Sequence, residues 1–237
     1  MAKHYGPQGW WPVESERASF LNPSGEREME GYHPGQYNFP RTARGRFEIC
    51  CGAILTQNTA WTNVQKALAG LRAVGLLSAE GLLFTPEDTL AQIIRPAGYF
   101  NQKSKYLRAL ANWFIATEET LVKLPKTRQN LEITRQQLLS VRGVGPETAD
   151  CILLYAYAFP TFVVDAYTRR VFGRLRLFDE TWNYEQIREL LGEAFKRTNV
   201  GATVEQYQEA HALIVEHAKR YHGRNVELGE DFLLQLI

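Results

Sequence analysis

Two groups in this chain have the residue types and spacing for chemistry. One is the turn Val141-Arg142-Gly143-Val144-Gly145-Pro146-Glu147, and the other is a carboxylate, Asp165, closing the apolar run Phe162-Val163-Val164. Helices joined by Gly-x-Gly point several backbone N–H groups at one place. Together with the positive end of the second helix, that nest binds an anion without side-chain charge. A DNA phosphate fits, because glycines let its backbone come close and no base has to be read. The same turn also serves as a plain tight connection between helices. Asp165 reads either as an ordinary helix N-cap or as a fixed negative charge able to steady a sugar cation. Glu147 carries no amine, and it reads either as an acid favoured by the helix dipole or as a participant in the chemistry.

These residues need helices to hold them, and helical spacing dominates from Phe47 onward. "FEICCGAILTQNTAWTNVQKALAGL" is helical with a polar break at Thr56–Thr59. In "LFTPEDTLAQII", Thr85 is the expected N-cap with Pro86 at the first helical position. "NQKSKYLRALANWFIA" is an amphipathic helix with Lys103 and Lys105 outside its apolar stripe. Thr134 and Gln137 have capping-box spacing. "ETADCILLYAYA" puts Ala149, Ile152, Leu153 and Ala156 on one face. "PTFVVDAYTRRVFGRL" looks like a strand at first, but nothing nearby could pair with it; an extended lead into a helix capped by Asp165 is expected. "YEQIRELLGEAF" and "VEQYQEAHALIVEHAKRY" complete the helices. The first 46 residues read as loop with room for one short helix, no internal repeat is visible, and the class is all-α.

The chain has 237 residues, 45% hydrophobic and 22% charged, which suits one or two globular cores. No apolar run reaches membrane-spanning length and the N-terminus lacks signal-peptide character, so a cytoplasmic protein without membrane contact is expected. Cys50, Cys51 and Cys151 form no disulfide or metal-ligand pattern. With a net charge of +1, a polyanion partner would need local patches such as Arg41, Arg44 and Arg46, or Arg169, Arg170, Arg174 and Arg176. Such patches also serve as solvated helix faces.

"LLSVRGVGPETADCILLYA" followed by "VVDAYTRRVFGRL" resembles the helix–hairpin–helix and Gly-Pro-Asp signature of the endonuclease III superfamily of DNA glycosylases. The resemblance extends over Phe47 to Arg224 and includes "LTQNT" and "YHGR". Within the superfamily, "WWP" (Trp10–Pro12), "LTQNT" and "RPAGYFNQK" resemble the 3-methyladenine DNA glycosylase III branch. The resemblance implies two helical domains with the active site in a cleft between them. A six-helix domain would span residues 38–159, and a second domain would combine 1–37 with 160–237. It implies Asp165 and Glu147 as catalytic residues and Trp10, Trp11, Pro12 and Trp61 as the base pocket. Adjacent Trp10 and Trp11 point different ways, so one could instead staple the N-terminus to the core. DNA would be held by Gln57, Arg142, Gly143, Gly145 and Arg169, with Gln57 a candidate wedge or simply a loop-facing polar residue. Carbonyls of Leu139, Val141 and Val144 would hold a monovalent cation, Na+ or K+.

Bifunctional relatives have lysine where this chain has Glu147, so the resemblance implies a monofunctional glycosylase that leaves the strand intact. The expected partner is duplex DNA with a damaged base, bound by a monomer that associates with the nucleoid during repair. An alkylated purine such as 3-methyladenine is the expected lesion; another lesion or mismatch, and a non-catalytic DNA-binding module, are the alternatives. The sequence departs from most relatives after "YHGR", where it has no cysteines, so no iron–sulfur cluster is expected and Arg224 with the final helix would serve instead. A second departure is Val13 to Arg46, roughly thirty residues more than that branch uses, fit to cap the pocket, contact phosphates or lie inert.

Overall fold

A computed structural model describes residues 1–16, 31–197, 203–221 and 231–233. Among them are eleven α-helices and no strand, so the all-α expectation holds. Arg224 and Arg27 lie outside the described residues. The helices are α1 (Ala2–Tyr5), α2 (Ala43–Leu55), α3 (Trp61–Ala73), α4 (Ala79–Phe84), α5 (Glu87–Ile93), α6 (Phe100–Lys123), α7 (Arg128–Leu139), α8 (Pro146–Cys151), α9 (Ala166–Arg174), α10 (Tyr184–Lys196) and α11 (Val204–Tyr221).

The chain forms two compact units. One comprises Trp11–Tyr32 and Asn38–Phe159; the other comprises Met1–Trp10, His33–Tyr37 and Pro160–Ile237. The first departs from expectation by taking in Trp11–Tyr32 and by holding seven helices, α2 to α8, rather than six. The physical reason is local. Val13 is buried, its N–H bonds to the Gly31 carbonyl at 2.9 Å, and Glu16 accepts the N–H groups of Arg41 and Thr42 at 2.7 Å just before α2. Of the described parts of the Val13–Arg46 stretch, Val13–Glu16, Gly31–Tyr32 and Asn38–Arg46 therefore fold into this unit, while His33–Tyr37 belong to the other.

At its centre α2 is buried on every side from Phe47 to Leu55, and its apolar residues Phe47, Ile49, Cys50, Cys51, Ile54 and Leu55 are all sealed. Its one buried acid, Glu48, meets Arg72 of α3 at 2.7 Å. Beyond α8 the chain loosens into a π-helical turn over Ile152–Ala156, buried all round rather than on one face. In the terminal unit, Phe162 packs edge-on to Phe195 (5.4 Å) and Tyr207 (6.1 Å). The Tyr5 hydroxyl meets His217 at 2.9 Å and His217 meets Asp231 at 2.9 Å, tying α1 to α11 and the C-terminal segment.

Two caps differ from the sequence reading. Thr85 closes α4, its hydroxyl donating to the Gly81 carbonyl at 2.7 Å, and α5 begins after Pro86 without a side-chain cap. The cap of α7 is Thr127, which accepts the Asn130 N–H at 3.2 Å; Thr134 lies mid-helix, buried, bonded back to the Asn130 carbonyl. Both threonines satisfy a carbonyl one turn back, which suits this side chain inside a helix as well as at its start.

Candidate active site and anion-binding hairpin

The hairpin joins α7 to α8 through Ser140–Gly145. A buried double contact sets the two helices against each other: Arg135 Nε and Nη2 meet Asp150 Oδ1 and Oδ2 at 2.9 and 3.1 Å. Planar guanidinium on planar carboxylate fixes orientation as well as distance. The turn is closed by Val144 N–H on the Val141 carbonyl at 3.0 Å. Gly143 has φ +89° and a Cβ there would fall inside the Tyr106 ring, so this glycine is demanded from within. Gly145, at φ −95°, has nothing within 4 Å of an added Cβ. Its small size has no reason inside the chain and suits an approach from outside.

Gln57 sits in the break between α2 and α3 and does not stand free. Its carboxamide donates to the Gly143 carbonyl at 2.9 Å and to Thr148 Oγ1 at 3.0 Å, bracing the hairpin. The break itself is fastened by Lys103. Expected on the solvent side, this residue is 2% exposed, and its ammonium donates at 2.8 Å to the carbonyls of Leu55 and Ala97 and to the Thr59 hydroxyl. Burial lowers its pKa to about 8. Arg142 and Glu147 are both exposed, Glu147 in the first turn of α8. Leu139, Val141 and Val144 lie at the end of α7 and in the turn, with Val144 buried.

The tryptophans separate. Trp11, 3% exposed, packs edge-on to Trp61 and Tyr155, each at 5.4 Å, and Pro12 is buried beside it in sequence. Of the adjacent pair, Trp11 is thus the staple to the helical core. Trp61 is half-buried at the start of α3. Trp10 belongs to the other unit, its ring edge-on to His211 at 6.0 Å and beneath Lys219 Nζ at 5.7 Å.

Asp165 also belongs to the terminal unit. Residues Thr161–Val164 run extended and buried into α9, which Asp165 caps: Oδ1 accepts the Thr168 N–H at 2.6 Å. Its other oxygen, Oδ2, lies 3.4 Å from His211 Nε2. Burial alone pushes such a carboxyl up; His211 and then the Thr168 N–H outweigh it and hold Asp165 below the ordinary carboxylate range. A nearly buried carboxylate, 9% exposed, is in this way kept charged. Arg169, one residue past Thr168, donates to the Trp182 carbonyl at 3.0 Å. His211 is the participant that sequence reasoning missed. Its helix shows only amphipathic spacing, and no local pattern links it to Asp165.

Residues 51–197 match the HhH-GPD superfamily of base excision DNA repair proteins. A Methanocaldococcus jannaschii protein provisionally named a DNA repair glycosylase is 38% identical over 218 residues, 92% of this chain and 83% of that protein. Helicobacter pylori 3-methyladenine DNA glycosylase, solved with 1,N6-ethenoadenine, is 28% identical with a TM-score of 0.58, over 75% of this chain and 89% of that one. An endonuclease III–DNA complex shares the fold at 19% identity and a TM-score of 0.63, over 81% and 82% of the two chains.

Proposed function

The chain belongs to the HhH-GPD superfamily of base excision DNA repair proteins, with an endonuclease III-like helical fold, and we propose that it is a monofunctional glycosylase releasing alkylated purines from duplex DNA. The observation that carries this reading is the state of Asp165: a nearly buried carboxylate held ionised at the start of α9. As a glycosidic bond stretches, positive charge builds on the deoxyribose, and a fixed anion stabilises it. Because the group is already desolvated and oriented, it needs no reorganisation when that charge appears.

Glu147 supports the monofunctional outcome. A carboxylate in the first turn of α8 cannot attack the sugar C1′ to form a Schiff base. Water takes that place, and the phosphodiester backbone stays intact. The lesion follows from the leaving group. An N3- or N7-alkylated purine is already cationic and departs without a strong general acid. What such a base needs is an electron-rich surface, and each suitable ring contributes roughly 0.5–2 kcal/mol to a cation. Trp10, in the unit that holds Asp165, is the ring for that role; the 28% identity to a 3-methyladenine glycosylase supports the same class.

The hairpin would hold one phosphate through main-chain N–H groups, with Gly145 open to its approach. The carbonyls of Leu139, Val141 and Val144 are hard oxygens of one short segment, the donor type a monovalent cation takes. Val141 already accepts one hydrogen bond, and a carbonyl has a second lone pair. Such a cation would add positive charge beside the phosphate. The protein would act as a monomer.

The test uses duplexes with single lesions, incubated and then treated with hot alkali or left untreated. Alkali-dependent cleavage at 3-methyladenine is expected, and Asp165→Asn should lower it by at least about a hundredfold. Cleavage without alkali would overturn the role given to Glu147. Binding without base release from any lesion would overturn the enzyme reading.

A further inference from the structure

The carboxylate of Asp165 has two neighbours of different kinds. Capping α9 needs only Oδ1, which the Thr168 N–H occupies at 2.6 Å. Oδ2 faces His211 Nε2 at 3.4 Å, and both side chains are nearly sealed, with His211 4% exposed. An N-cap aspartate ordinarily turns its second oxygen to water. Here an imidazole from a distant helix, α11, stands in that place, and the Trp10 ring closes edge-on against it at 6.0 Å.

We propose that His211 is a positioning residue for base excision: its imidazole fixes the second oxygen of Asp165 and keeps the carboxylate charged and aimed. The inference rests on the reading of Asp165 as the group that steadies the sugar cation. His211 acts through Asp165 and not on the reacting atoms. Without it, a carboxylate this buried would be opposed to ionisation with only Thr168, through its N–H and its hydroxyl, to offset the loss of water, and a protonated acid offers a developing cation nothing.

Other polar groups on the same elements have partners of their own. On α11, Glu209 accepts the N–H groups of Gln8 and Gly9 at 3.0 and 3.4 Å, and Lys219 lies over Trp10. On α9, Arg169 reaches the Trp182 carbonyl, and at the start of α10 the Tyr184 hydroxyl accepts the Val164 N–H at 3.3 Å. Among the described residues, His211 is the titratable side chain that meets the carboxylate. At 3.4 Å the contact is longer than a well-formed hydrogen bond, so the imidazole orients Oδ2 without tying it up.

The sign of the pH effect follows. Asp165 has its folded pKa depressed, so it stays ionised well into acid. Replacing His211 leaves burial opposed by Thr168 alone, and the carboxyl moves up. The experiment compares wild type, His211→Ala and His211→Gln by single-turnover release of 3-methyladenine across pH, and by carbon NMR titration of the Asp165 carboxyl without DNA. In His211→Ala, the acid limb and the NMR midpoint should both move to higher pH, and the neutral-pH rate should fall about ten- to a hundredfold, the scale of one hydrogen bond to a charged group. His211→Gln keeps a side-chain N–H donor in place of the imidazole and should shift less and recover part of the rate. It carries the same comparison if the alanine variant does not fold. A midpoint and acid limb identical to wild type in the variants would overturn the proposal. If no protein releases base, the glycosylase reading fails while the NMR midpoint still decides the Asp165–His211 coupling.

Discussion

At Gly143 the backbone takes φ +89° and the Tyr106 ring fills the space a side chain would need. Gly143→Ala must therefore distort the turn or push the ring aside, costing about 1–2 kcal/mol from the dihedral alone. Gly145 is two residues away, with an ordinary extended conformation and open space around its Cα. Gly145→Ala should change folding stability by less than about 0.5 kcal/mol, as surface substitutions usually do. If a phosphate comes close to that backbone, the same methyl should weaken duplex binding severalfold. Thermal melts and fluorescence anisotropy with a short duplex separate the two effects. Unchanged affinity in a well-folded Gly145→Ala protein would remove the phosphate from the turn. In sequence the two glycines are indistinguishable; only the φ angle and the Tyr106 contact, made by a residue of α6, assign them different work. Asp165 is legible because a cap is a local device. His211 is not, because its pairing depends on how α11 packs on α9.

The helices that present the hairpin are held by polar fasteners as well as by their buried apolar faces. Arg135 and Asp150 lock α7 to α8, Gln57 binds the turn to the α2–α3 break, and Lys103 ties that break to the segment before α6. The apolar and glycine pattern located α8 and the α2–α3 break, but it capped α7 at Thr134, where the helix already begins at Arg128. It misplaced Lys103, because one buried charge on an amphipathic helix looks like any other lysine until its three oxygen partners are assembled from distant segments. The caps at Thr85 and Thr134 failed for a related reason: a threonine hydroxyl suits a helix interior as well as a helix start. Lys103→Met keeps the length of the side chain and leaves two carbonyls and a hydroxyl without their donor. It should destabilise the protein by about 1–3 kcal/mol at neutral pH, the penalty of buried groups left unsatisfied. The folded pKa of about 8 lies below the 10.5 of a free lysine. The cost of keeping this amine charged is thus fully present below about pH 8 and fades as pH rises toward 10.5. Wild-type stability should gain on the methionine variant across that window in denaturant titrations, and a constant difference would mean that the amine is not desolvated.

For the whole molecule, a net charge of +1 means that overall charge does not draw it to DNA. No helix among the described residues is long and apolar enough to cross a membrane. Affinity for a polyanion must come from a few local contacts, and each phosphate neutralised changes the slope of log K against log salt by about 0.9. The sequence offers Arg142 and Arg169 as equivalent candidates, whereas the structure gives them different surroundings. Arg142 is exposed in the hairpin turn. Arg169 reaches the Trp182 carbonyl at 3.0 Å, bracing the loop between α9 and α10. Arg142→Ala should reduce the slope by about one and weaken damaged and undamaged duplexes alike, since a phosphate contact carries no base information. Arg169→Ala should leave the slope unchanged and lower the melting temperature instead, through the lost tie to Trp182. Anisotropy titrations over a range of salt concentrations, paired with melts, read both quantities on the same proteins. A slope that changes with Arg169 and not with Arg142 would move the backbone contact from the hairpin to α9, and with it the surface on which the DNA lies.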